Sequence, residues 1–95
     1  MINYAHPDIM IATKNPAIVT REAIDELVLV NLEKIDSPLF LNEVGARVWS
    51  LLDGQYNVST ISAIIAAEYD ADISAVQADV IEFLGRLELM GALMS

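Results

Sequence analysis

The chain has 95 residues, which leaves room for one hydrophobic core and excludes a second domain with a core of its own. Hydrophobic residues make up 55% of it and charged residues 20%, excluding general disorder, and the absence of cysteine excludes disulfides and thiolate metal sites. The net charge is −9, and from Ser37 onward Glu43, Asp53, Glu68, Asp70, Asp72, Asp79, Glu82 and Glu88 stand against Arg47 and Arg86 alone, a balance that repels a phosphate-rich partner.

Residues 1–16 mix short apolar runs with turn formers, His6-Pro7-Asp8 and Lys14-Asn15-Pro16 bracketing Ile9-Met10-Ile11-Ala12. They read as a loosely attached N-terminal arm, with residues 17–95 as the folded domain. The start lacks the basic, apolar and small-residue order of a secretory signal, and no apolar run approaches the roughly 20 residues that span a bilayer, so a cytoplasmic location is expected and no membrane partner.

Ala17 to Arg21 is short and β-branched, and Leu27 to Leu32 is a second apolar run; with Glu22 to Glu26 between them they predict a hairpin. The second run is apolar on both faces, more than a sheet covered on one side needs, so the arm or a second subunit is expected over the other face. Glu33 to Pro38 reads as a polar turn before a third strand, Leu39-Phe40-Leu41. Pro38 has no N–H to give to a ladder, which puts that strand at a sheet edge with free backbone groups.

Asn42 is a good N-cap for a first helix over 43–53, with Val44, Val48, Leu51 and Leu52 at helical spacing and Gly54 as its left-handed stop. Asn57 caps a second helix with Val58, Ile61, Ile64 and Ile65 on one side, ending near Tyr69. After the acidic turn Asp70-Ala71-Asp72, a third helix carries Val76, Val80, Phe83, Leu84 and Leu87 as a wide apolar stripe, and Gly91 closes it. Ser74 and Gln77 have the spacing of a capping box there, in competition with Asp72 as the cap.

Little here carries catalysis. His6 is the only histidine and lies in the arm, no Cys nucleophile exists, and no cofactor motif is present, so the chain is not expected to be an enzyme. Asp70 and Asp72 lack the Gly and distal Glu of a calcium loop and read as helix-flanking acids. The last two helices have the order of a helix-turn-helix, but Gln77, Asp79, Glu82 and Glu88 on the third offer little to a phosphate backbone. Trp49 lies one position off the apolar stripe of the first helix, where a core role is more frequent than a partner anchor. Phe83 and Leu87 are likewise more often core than groove at this spacing.

The runs "LNEVGARVWSLLDG" (Leu41 to Gly54), "VSTISAIIAAEYDAD" (Val58 to Asp72) and "DVIEFLGRLELMGAL" (Asp79 to Leu93), preceded by "AIVTREAIDELVLVNLE", resemble the PqqD-like family, also called RiPP recognition elements. The resemblance covers roughly residues 17–93. It implies an α+β, winged helix-turn-helix-like fold with a three-stranded antiparallel sheet followed by three helices. It further implies a non-catalytic adaptor that binds the leader segment of a ribosomally made precursor peptide and presents it to a separate modifying enzyme, such as a radical enzyme or a peptidase.

Carried over by position, the leader would add as a strand beside Leu39, Phe40 and Leu41, in a groove completed by Val76, Asp79, Val80, Phe83 and Leu87. Strand addition takes affinity from backbone hydrogen bonds and specificity from side-chain pockets, and uses no catalytic group. Asp79 and Glu82 favour a leader with Lys or Arg near its apolar anchors. Two other classes stay open: a winged-helix DNA-binding regulator, and a structural module in which the open strands pair into a homodimer.

Overall fold

The computed structural model describes residues 6–8 and 10–94, with the backbone alone at 35–37. Nine elements follow in chain order: β1 (Ile11–Lys14), β2 (Ile18–Ala23), β3 (Glu26–Asn31), β4 (Lys34–Leu41), α1 (Glu43–Ser50), β5 (Asp53–Asn57), α2 (Val58–Tyr69), α3 (Ile73–Leu89) and β6 (Leu93–Met94). β2, β3 and β4 form an antiparallel sheet in that order, and β5, β1 and β6 form a second three-stranded sheet with β1 in the middle.

The hairpin of β2 and β3 turns at Ile24-Asp25, where Asp25 takes a left-handed conformation at φ 63°, which Asp tolerates better than most residues. The turn after β3 is only Leu32-Glu33, so the third strand begins at Lys34 and includes Pro38, where a longer polar turn was expected. Pro38 sits in an edge strand, as its missing donor requires.

Alternation along β3 buries Leu29 and Asn31 on the helix side and leaves Val28 and Val30 on the far face with Phe40, which is 62% exposed. Among the described residues that face is only half covered, and no part of the N-terminal segment lies in the same sheet.

The N-terminal segment goes elsewhere. Ile11–Lys14 is not a loose arm but the middle strand of the second sheet, with Ile11 opposite Asn57 and Thr13 opposite both Asp53 and Met94. Met10 and Ala12 are buried in the core, and the ammonium of Lys14 lies 5.0 Å from the centroid of the Trp49 ring. The expected arm residues 1–5 and Ile9 lie outside the described residues.

α1 is shorter than its apolar spacing predicts. It ends at Ser50 with Leu51 as its C-cap, and Leu51 and Leu52 pack into the core beyond it. Gly54 does have positive φ, +86°, yet it stands in β5, where a Cβ would lie 3.1 Å from Thr13 Cγ2. It therefore serves the irregular β1–β5 pairing, whose register shifts between Ile11 and Thr13.

Asn42 and Asn57 cap α1 and α2 as expected, accepting from Gly45 N at 2.9 Å and Thr60 N at 2.7 Å. α3 is capped by Asp72, which accepts from Ala75 N at 3.1 Å, in place of the Ser74–Gln77 box. At its far end Gly91 N donates to Glu88 O and Ala92 N to Leu87 O, a Schellman motif with Gly91 at φ +75°.

The core lies between the β2–β3–β4 sheet and the helices, around Leu29, Leu52, Ile61, Ile65, Leu84 and Leu87. Each such side chain contributes about 1.5–3 kcal/mol by leaving water. The helix-turn-helix pair α2 and α3 packs together, and α1 packs on β3 and β4, so the edge of β4 is held beside α3.

Candidate functional site

β4 is the last strand of its sheet, and among the described residues nothing pairs with its outer edge. Its inner edge is in register with β3 over Leu39, Phe40 and Leu41, opposite Leu29, Val28 and Leu27; the irregularity falls nearer Lys34. The regular part of the strand thus leads directly through Asn42 into α1.

Between this strand end and α3 lies an open groove of about 440 Å³. Val76 and Val80, both buried, form its floor with Val48 and Ile65, Leu41, Val44 and Phe83 form its walls, and Phe40, directed to the far face of the sheet, borders its outer edge. Gly45 lines it as well, and a Cβ there would stand 3.4 Å from Leu41 Cβ and 3.6 Å from Phe83 Cε1, ordinary contact distances.

The rim is polar and belongs to α3. Arg86 Nη2 donates to Glu82 Oε1 at 3.0 Å, one turn apart on the helix, so these two charges largely answer each other. Asp79 lines the same groove, is exposed and has no ion-pair partner among the described residues.

A second charged cluster ties α1 to α2 outside the groove. Arg47 Nε and Nη2 donate to Glu68 Oε1 at 2.9 Å and Oε2 at 2.6 Å. This hydrogen bonding holds the Glu68 carboxyl below the ordinary glutamate range and raises the Arg47 guanidinium. The Tyr69 phenol is pushed up, first by desolvation and then by the negative charge of Glu43.

Of the residues the sequence singled out, Phe40, Leu41, Val76, Asp79, Val80 and Phe83 come together around the groove. Leu39 and Leu87 do not line it. Leu39 alternates to the inner side of the sheet and packs half-buried against the core, and Leu87, with no exposure at all, belongs to the core itself. Trp49 is also core, 6% exposed beneath Lys14.

Sequence reasoning missed Val44, Gly45, Val48 and Ile65 as lining residues. Among the described residues there is no group of three His, Cys, Asp or Glu side chains that could hold a metal ion, and no helix long and apolar enough to cross a membrane.

The family model for coenzyme PQQ synthesis protein D (PqqD) matches residues 26–92. The chain belongs to the PqqD family. The match begins at the first residue of β3 and ends just past α3, and so contains every residue that lines the groove.

Solved structures agree with the PqqD assignment. TbiB1, solved in complex with the TbiA(beta) leader peptide, is 32% identical, with a TM-score of 0.76 over 87% of this chain and 95% of that one. Lasso peptide synthetase B1, complexed with the leader peptide, has the same fold at 15% identity, with a TM-score of 0.77 over 88% of this chain and 98% of that one. The PqqD truncation of Methylobacterium extorquens PqqCD, a stand-alone RiPP recognition element, shares the fold at 24% identity, with a TM-score of 0.77 over 93% of each chain. No curated protein sequence matches the chain.

Proposed function

We propose that this PqqD-family protein is a non-catalytic, cytoplasmic adaptor that binds the leader segment of a ribosomally made precursor peptide and presents it to a separate modifying enzyme. The observation that carries the proposal is the unpaired edge of β4 lying beside an apolar groove closed by α3. The leader complexes of TbiB1 and of lasso peptide synthetase B1 support it, TbiB1 with the greater weight at 32% identity.

An extended leader meets in β4 a row of backbone donors and acceptors over Leu39 to Leu41, the only stretch where the strand is regular enough to fix a register. Side chains of an added strand point alternately to the two faces. Those directed at α3 enter the groove over Val76, Val80 and Phe83, and those between them run past exposed Phe40 on the outer face. Ordering a flexible leader offsets much of this contact energy, so the leader need not bind tightly.

The test is an amide NMR titration of the labelled protein with the TbiA(beta) leader and with peptides encoded by short reading frames beside its gene. The expected result is shifts confined to 39–41, the start of α1 and α3. Shifts confined elsewhere would overturn the groove as the leader site, and no shifts together with a dimer that sediments with its β4 edge already protected would replace the adaptor with a dimerisation module.

A further inference from the structure

We infer that Asp79 is the specificity-determining residue of the groove, and that it selects a leader carrying a lysine or arginine within two residues of its apolar anchor. The inference rests on the leader-binding reading above and adds to it the chemistry of the segment bound.

Three observations lead there. Asp79 stands three residues after Val76 and four before Phe83, so helical geometry puts it on the face whose apolar members line the groove. The two other charges on that rim, Glu82 and Arg86, are already paired at 3.0 Å and present a nearly neutral pair to anything bound beside them. Asp79 therefore carries the one unanswered charge among the described residues that line the groove, next to buried Val76 and Val80.

An apolar floor with a single carboxylate at its lip matches a peptide with an apolar anchor flanked by a cation. A long Lys or Arg side chain can lay its methylenes along the wall while its head reaches the carboxylate. A glutamate or aspartate at the same place meets uncompensated like charge, which rejects the wrong partner more effectively than the pair attracts the right one.

The test is selection of a random 12-residue phage-displayed peptide library on the immobilised full-length protein and, in parallel, on Asp79→Lys, Asp79→Asn and, as a control at the opposite edge of the sheet, Glu22→Gln on β2. Selected peptides are synthesised and titrated by amide NMR to confirm that they occupy the groove. Wild type is expected to select apolar peptides with a nearby Lys or Arg; Asp79→Asn binds them about two- to fivefold more weakly, in line with an exposed ion pair. Asp79→Lys selects Asp or Glu at that place instead, and Glu22→Gln, away from the groove, retains the wild-type preference.

Peptides that shift the groove amides but show no basic preference, or the same preference in Asp79→Lys, overturn this inference and leave leader binding standing. A library that yields no peptide shifting those amides overturns both.

Discussion

The side-chain amide of Asn31 donates to the carbonyl of Gly91 at 3.4 Å and to that of Met90 at 2.9 Å, joining the end of β3 to the turn that closes α3. Asn31 is 2% exposed, and its carbonyl oxygen accepts from Glu33 N at 2.9 Å, so both ends of a buried amide are used. A Cβ on Gly91 would lie 2.8 Å from Asn31 Nδ2, in a residue whose φ is +75°.

Asn31→Ala takes the side-chain donor from the Met90 carbonyl, while the Gly91 carbonyl keeps Asn15 Nδ2 at 2.8 Å, and is expected to cost about 1–3 kcal/mol of unfolding free energy. Gly91→Ala, with both a close contact and positive φ, is expected to cost a similar ~1–3 kcal/mol. In the Asn31→Ala background the contact is gone and only the backbone cost remains, so the two changes are sub-additive. Denaturant unfolding of the four proteins tests this, and additivity within about 0.5 kcal/mol would refute the contact.

Leu87 and Phe83 lie one turn apart on α3 and have separable roles. Leu87→Ala empties a fully buried core position and should lower stability by about 2–5 kcal/mol. Phe83→Glu, on the groove wall, and Phe40→Glu, 62% exposed, should leave a cooperative fold but weaken leader binding at least tenfold. Calorimetry and peptide titration on the same samples separate the two effects; unchanged affinity in both Phe variants would remove the groove assignment.

Deleting residues 1–14 takes away the middle strand of the β5–β1–β6 sheet along with buried Met10 and Ala12. The truncated protein should melt well below the full chain. Trp49, the single tryptophan, loses Lys14 above its ring and should shift its emission to the red. Unaltered melting and emission would mean that β1 contributes nothing to the folded state.

The Glu68–Arg47 pair sets an acid-side dependence. Because the folded-state pKa of Glu68 is lowered, the stabilisation is present above the ordinary glutamate pKa and is lost as pH falls through the lowered value. The pair is solvent-exposed and salt-screened, so the effect on stability is small and the titration itself is the better readout. Side-chain NMR should give Glu68 a midpoint below the ordinary glutamate value, and Arg47→Ala should return it to that range; equal midpoints in the two proteins would contradict the bidentate geometry.

Much of this molecule is local in origin. The β2–β3 hairpin, the edge position implied by Pro38, the caps Asn42 and Asn57 and the Gly91 stop all follow from how a residue treats its near neighbours, so the sequence by itself determined the order of the main sheet and the helices. It also placed Phe40, Val80 and Phe83 beside one another through the resemblance to a known family.

What only the tertiary structure decided depends on contacts between distant residues. β1 and β6 are four and two residues long and pair across a separation of about eighty, so neither has enough periodicity to announce a strand. Gly54 looked like a helix stop because positive φ serves a cap and an irregular strand equally well. The apolar stripe of α3 is wide enough to face two ways, and only the packing of α1, α2 and the sheet around it turned Leu87 into the core and left Phe83 and Asp79 to the groove.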